Sequence, residues 1–400
     1  MSRPSRPSHR AASAAGSARH GQPLLARRAV LLGPLALAAC QTGLGGGAPL
    51  APGASVRVGM LLPFGSDTPS NDLVATSLQN AAQLAAGDLQ GARVELAVHN
   101  TAADRATAAA AAREAVSQGA RVLLGPLYAD ETAAVGPAVP GTPVFSFSNN
   151  PDVAGGNVFI LGHTFANAAR RLLSFGATRG YDSVLVVHAR NLAGEAGRKA
   201  VEQAAAETGV RYAGAASYEF SQRGVIDAIP AIAQAIREGE AKMVIFAADT
   251  AGALPILTQL LPENGIDPKE VKFAGLTRWD IPRSTLALPG VQGGWFTLPD
   301  PALDGAFRDR YTQAFGQRPH PLAGLAYDGV AAVGALAAAG GVAPFSRERI
   351  TQPAGFAGVQ GVFRFRADGT NERALALAEI VDKQVSIIDP APRSFADVGA

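Results

Sequence analysis

Cysteine is almost missing from this sequence. Cys40 is the only one in 400 residues, so no disulfide can close within the chain and the fold has to be held by its apolar core. Histidine is sparse too: His9 and His20 stand before residue 40, and His99, His163, His188 and His320 lack the paired spacing of a metal site. Neither a metal nor another cofactor is expected. Motifs of common chemistries are also lacking, with no Gly-x-Ser-x-Gly elbow, no His-Glu-x-x-His and no phosphate loop ending in Gly-Lys-Ser/Thr, which argues against an enzyme. No apolar run, Ala29 to Ala39 included, reaches the roughly 20 residues that a membrane span needs.

What stands at the beginning is the pattern of an export signal. Arg3, Arg6, Arg10, Arg19, Arg27 and Arg28 precede a short apolar stretch that ends in Leu37-Ala38-Ala39-Cys40. That ending resembles a bacterial lipobox, which implies cleavage after residue 39 and lipid attachment at Cys40. Arg27-Arg28-Ala29-Val30-Leu31 also resembles a twin-arginine motif, so the export route stays open. Without these six arginines the 35 basic residues fall to 29 against 33 acidic ones, a net of −4, and nucleic acid is not an expected partner. Residues 40–54 carry Gly43, Gly45, Gly46, Gly47, Pro49 and Pro52, the composition of a flexible tether.

From Val56 onward, short β-branched runs alternate with longer Ala-rich segments of helical period. Strands are expected at 56–62, 94–98, 121–124, 143–147, 157–161, 183–187, 211–218, 243–247 and 271–275, with helices between them. Such alternation implies parallel sheets covered by helices on both faces, and two successive series imply two lobes. The tail differs. Helices at 301–315 and 323–339 are followed by 361–366, where Phe363 and Phe365 alternate with Arg364 and Arg366 before the turn at Asp368-Gly369, as in an antiparallel hairpin with one wet face.

Val58-Gly59-Met60-Leu61-Leu62-Pro63, Leu124-Gly125-Pro126-Leu127, Pro143 to Asn149 and Phe363 to Gly369 occur in an order similar to that of the leucine/isoleucine/valine-binding proteins. The resemblance implies an α/β type I periplasmic binding fold of two lobes joined by three hinge crossings, near His163, Leu298 and Phe345. Lobe one would be 55–163 and 298–345, and lobe two 164–297 and 346–392. Within this group, Gly293-Gly294-Trp295-Phe296, Leu325-Ala326-Tyr327-Asp328 and Gly355 to Gly361 most resemble penicillin-binding protein activators of the LpoA type, although the large helical-repeat domain described for those proteins is not seen.

The resemblance places a ligand cleft at the carboxyl ends of the strands. Candidate cleft residues are Phe64, Tyr128, Ser146, Ser148, Asn149, His163, Asn191, Asp249, Trp279 and Asp280. Relatives hold a ligand carboxylate on hydroxyls in the loop where this chain has Leu127-Tyr128-Ala129-Asp130-Glu131-Thr132, so an acid here is expected to repel such a ligand. Leu192 replaces a family tyrosine, and Trp279 is a candidate stacking wall that reads better as a lobe-closing core residue. Two functions follow from the resemblance. The first is a non-enzymatic regulator of a penicillin-binding protein or other cell-wall synthase, held by its lipid on the periplasmic side of the outer membrane, as Gln41 after the cysteine implies. The alternative is the receptor of an amino-acid transporter that closes on a small polar solute.

Overall fold

The computed structural model describes residues 49–51, 53–248 and 250–396. The expected signal, Cys40, most of the tether and Asp249 lie outside the described residues.

The first lobe opens with β1 (Ser55–Leu62), α1 (Pro69–Asp88), β2 (Arg93–Asn100), α2 (Arg105–Ser117), β3 (Val122–Leu124), α3 (Ala129–Ala138), β4 (Val144–Ser146) and β5 (Val158–Ile160). Its five strands are parallel, in the order β2-β1-β3-β4-β5. Alternation along β1 divides the interior in two. Val58, Met60 and Leu62 face a core shared with α1, whereas Leu61 faces Ala108, Ala112 and Ala115 of α2. The first turn of α2 is closed by Asp104, whose carboxylate accepts the Thr107 N–H at 2.8 Å.

The chain then crosses into the second lobe with α4 (Phe165–Thr178), β6 (Ser183–Ala189), α5 (Leu192–Thr208), β7 (Arg211–Tyr218), α6 (Gln222–Glu238), β8 (Met243–Ala247), α7 (Ala253–Glu263), β9 (Lys272–Gly275) and β10 (Trp295–Leu298). It returns to the first lobe through α8 (Pro301–Phe315), α9 (Ala323–Ala338), α10 (Arg347–Ile350) and a small antiparallel sheet of β11 (Phe356–Gly358), β12 (Gly361–Phe365) and β13 (Asn371–Arg373). β14 (Ala376–Val381) and β15 (Gln384–Asp389) complete the second sheet, whose order is β15-β14-β10-β9-β8-β6-β7. Only β14 runs against the others, antiparallel to β10 on one side and to β15 on the other. Leu185 and Val187 face one core of this lobe and Val184 and Val186 the other, so helices cover both sides.

The third crossing is not near Phe345. Phe363 and Phe365 turn toward the first sheet, where the Phe365 ring lies 4.8 Å from Phe145 and 5.5 Å from Phe159. Residues 346–373, expected in lobe two, therefore pack in the core of lobe one, and the chain crosses between β13 and β14. The first two crossings lie between β5 and α4 and between β10 and α8. Sequence periodicity also passed over β10, α10 and β11, each only three or four residues long. At the base of lobe one, Leu50 pairs with Gly341 through two backbone hydrogen bonds of 3.1 and 3.2 Å. No described helix is long and apolar enough to cross a membrane.

Candidate functional site

Three crossings side by side make a hinge, and its interior is polar. Arg373 donates from Nε and Nη2 to the Leu161 carbonyl at 3.0 and 2.8 Å, and from Nη1 to Asp328 Oδ2 at 2.8 Å. Both partners of this ion pair are buried. The other oxygen of Asp328 accepts the Val359 N–H at 2.8 Å. That approach requires Gly358, because a Cβ there would fall 2.2 Å from Asp328 Oδ1. Asn371 adds Nδ2 bonds to the Ile160 and Gly162 carbonyls, both 2.8 Å, and accepts from Asn167 at 2.6 Å. Each charge and amide of the hinge thus has a partner, which is what keeps buried polar groups from destabilising a fold.

His163 sits at the first crossing. Its Nε2 is 2.9 Å from Gln360 Oε1, an acceptor, so the ring carries its proton on Nε2. Burial, together with the positive charges of Arg373 and Arg278, pushes the imidazole down to about 3. An exposed histidine titrates near 6.5, so the unfolded chain takes up a proton that the folded chain refuses. Stability is complete above pH 6.5 and falls as pH drops toward 3, by about 1.4 kcal/mol per unit. Between pH 6.5 and 5 this amounts to about 2 kcal/mol. Urea unfolding across that range should show the loss in the native chain and not in His163→Gln; equal slopes in both would refute the assignment.

Loops at the carboxyl ends of the strands flank the hinge. In lobe one, Phe64 is half-buried against the core. The Tyr128 hydroxyl donates to Asn71 Oδ1 at 2.6 Å. Glu131, expected to repel a ligand acid, turns inward instead: its Oε2 accepts the Tyr128 N–H at 3.2 Å across the first turn of α3. A carboxylate is favoured at that helix end, so the chain's own acid occupies the place a ligand acid would take. Burial pushes the Glu131 carboxyl above the usual range.

Ser146 is fully buried and not free for a solute. Its hydroxyl is shared among Thr132 Oγ1 at 2.7 Å, the Pro126 carbonyl at 3.0 Å and the Ser148 N–H at 3.1 Å. Ser148 is buried as well, with Oγ accepting the Asn150 N–H, while Asn149 is exposed. The hydroxyls named from sequence therefore hold their own loop.

In lobe two, Asn191 caps α5 by accepting the Gly194 N–H at 2.8 Å, and Leu192 beside it is 92% exposed. Trp279 is not a cleft wall. It is wholly buried in the lobe-two core, where a Cβ on Gly275 would lie 2.0 Å from Nε1 and one on Gly294 2.3 Å from Cζ3. Its neighbours in sequence do face outward. Asp280 forms a two-pronged ion pair with Arg278, Nε to Oδ1 at 2.9 Å and Nη2 to Oδ2 at 2.5 Å, and both remain partly exposed. The described residues contain no group of three or more His, Cys, Asp or Glu that converge as metal ligands.

Sequence reasoning overlooked Asp328, Gln360, Asn371, Arg373 and Arg278. A signal for two of them was present, since Asp328 ends the motif Leu325 to Asp328 and Gln360 stands within Gly355 to Gly361, both of which had stood out. Two cavities lie elsewhere: one of about 540 Å³ beside Phe159, Phe345 and Arg347, and one of about 640 Å³ beside Asp182, Arg211 and Lys242. Both are at the opposite end of the sheets from the hinge and touch none of the candidate residues.

A sequence model described as periplasmic binding protein matches residues 55–384, which takes in both lobes and all three crossings. The chain belongs to the periplasmic binding protein family. No curated protein matches it at a significant level. Solved structures similar to this binding protein include a Rhodospirillum rubrum protein provisionally assigned to branched-chain amino acid ABC transport, at 19% identity and TM-score 0.70, covering 84% of this chain and 100% of the other. A substrate-binding protein of a Desulfitobacterium hafniense ABC transporter, in complex with Leu, is 18% identical with TM-score 0.60 at the same coverage. A Rhodopseudomonas palustris solute-binding protein in complex with 3,4-dihydroxybenzoic acid is 16% identical with TM-score 0.54, covering 84% of this chain and 96% of the other. At these identities the likeness establishes the two-lobed type I fold of this binding protein. Periplasmic location follows from the family.

Proposed function

We propose that this binding protein is the receptor of an ABC transporter, closing its two lobes on a small polar solute. The observation that carries the reading is coverage: the similarity spans the whole of the Rhodospirillum and Desulfitobacterium chains, so both lobes and every hinge segment of those proteins have a counterpart here. The polar hinge interior fits such a role, because a rotation between lobes needs crossings whose buried groups stay satisfied. These relatives favour the receptor over the synthase regulator suggested by the short motifs.

Lipid attachment at Cys40 belongs to the same proposal. A tether of about 14 residues reaches at most roughly 50 Å, so a receptor serving an inner-membrane permease has to be anchored there or released. Recovery of the full chain solely in the outer membrane would count for the synthase regulator. Ligand binding gives a direct test on protein beginning after Cys40. A cognate solute at 100 times its dissociation constant adds about 2.7 kcal/mol of stability, and thermal unfolding with a panel of amino acids, sugars and organic acids should reveal it. A panel without any shift, combined with stimulation of a purified penicillin-binding protein, would replace the receptor reading with the regulator.

A further inference from the structure

Within a receptor's cleft, charge decides which solutes are admitted. In lobe one the first turn of α3 is already closed by Glu131, and the Ser146 hydroxyl is held between Thr132 and the Pro126 carbonyl. A ligand acid therefore finds its usual donors taken on that side. Across the hinge the situation is reversed. Arg278 stands in the loop that follows β9, at the carboxyl ends of the lobe-two strands, and its charge is felt at His163 on the first crossing. Its guanidinium grips Asp280, two residues away, with both prongs.

An arginine and an aspartate this close in sequence satisfy one another while the cleft is empty and keep the guanidinium planar, aimed and partly exposed. The backbone of that loop is fixed from beneath, because Trp279 between them is locked into the core by Gly275 and Gly294. A planar fork of this kind matches a carboxylate with two parallel N–H bonds, which a lysine cannot reproduce. We propose that Arg278 is the anion-binding residue of the cleft, that Asp280 is an internal counter-ion holding one edge of its fork while an incoming carboxylate takes the other, and that the solute is an organic acid without an α-ammonium group. The last point follows from the acids described here: Asp280 stays paired with Arg278 and Glu131 is buried behind the Tyr128 N–H, so neither is left to receive an ammonium group. The inference rests on the receptor reading.

The two substitutions act in opposite directions, which separates this role from a structural one. With 3,4-dihydroxybenzoate and leucine as probes, binding is read from the intrinsic fluorescence of Trp279 and Trp295 and from calorimetry on the chain beginning after Cys40. The native protein should prefer the aromatic acid. Arg278→Gln and Arg278→Lys should weaken it about 10- to 100-fold, the range expected for loss of hydrogen bonds to a charged group. Asp280→Asn should tighten it, and circular dichroism should show all three variants folded. Binding of leucine in preference to the acid, or acid binding indifferent to Arg278, overturns the inference and leaves the receptor reading standing. Failure of both probes and of the wider solute panel overturns both.

Discussion

Replacing Asp328 with alanine is expected to destabilise the protein by about 3–5 kcal/mol, the cost of stranding one member of a buried ion pair. Arg373 would keep its bonds to the Leu161 carbonyl but lose the only carboxylate in contact with it among the described residues, and the Val359 N–H would lose its acceptor. Asp328→Asn preserves the shape and one acceptor, so it should cost less than alanine while still leaving the guanidinium charge uncompensated. A double variant with Arg373→Met removes both charges and should recover part of the loss, since an apolar pair often replaces a buried salt bridge without penalty. Equilibrium unfolding in urea measures all three. A cost under about 1 kcal/mol for Asp328→Ala would mean that water enters the hinge and that the crossings are not held by this pair.

Trp279→Ala should lose a similar amount, about 3–5 kcal/mol, because it empties the largest wholly buried side chain of lobe two. The indole lies 6.3 Å from the Phe246 ring and fills the space left by Gly275 and Gly294, neither of which has a side chain to close the cavity. The converse substitution, Gly275→Ala, meets the indole nitrogen and should also destabilise, by about 1–3 kcal/mol through overpacking. Were Trp279→Ala neutral, with fluorescence of the native chain quenched by iodide, the side chain would be a cleft wall after all.

The alternating elements were legible because nearly every strand of the two parallel sheets is a short apolar run between Ala-rich helices, and burial on both faces leaves that signature in composition. Positions of the crossings were less so. The alternation of Phe363 and Phe365 with arginines announces one dry face, yet nothing local says which sheet receives it, and the answer, Phe145 and Phe159, is more than 200 residues away. The cleft was harder still. Ser146 and Ser148 have the right residue type, but Thr132 and the Pro126 carbonyl consume the first, and Asn150 engages the second. Whether a hydroxyl is spent inside its own loop depends on partners that periodicity does not bring together. Glu131 shows the same gap in reverse: its spacing three residues after Tyr128 is that of an N-terminal helix cap, a local signal outweighed at the sequence level by expectation of a ligand site.

The pairing of Leu50 with Gly341 has a mechanical consequence. It sits where β1 begins and α9 has ended, at the face of lobe one turned away from the hinge. A pull on the chain before residue 49 enters the protein there and runs into β1, which is zipped to β2 on one side and β3 on the other. Load along a strand held between two parallel neighbours is borne in shear by many hydrogen bonds at once. Lobe two lies outside that path, since β1 pairs only with strands of lobe one.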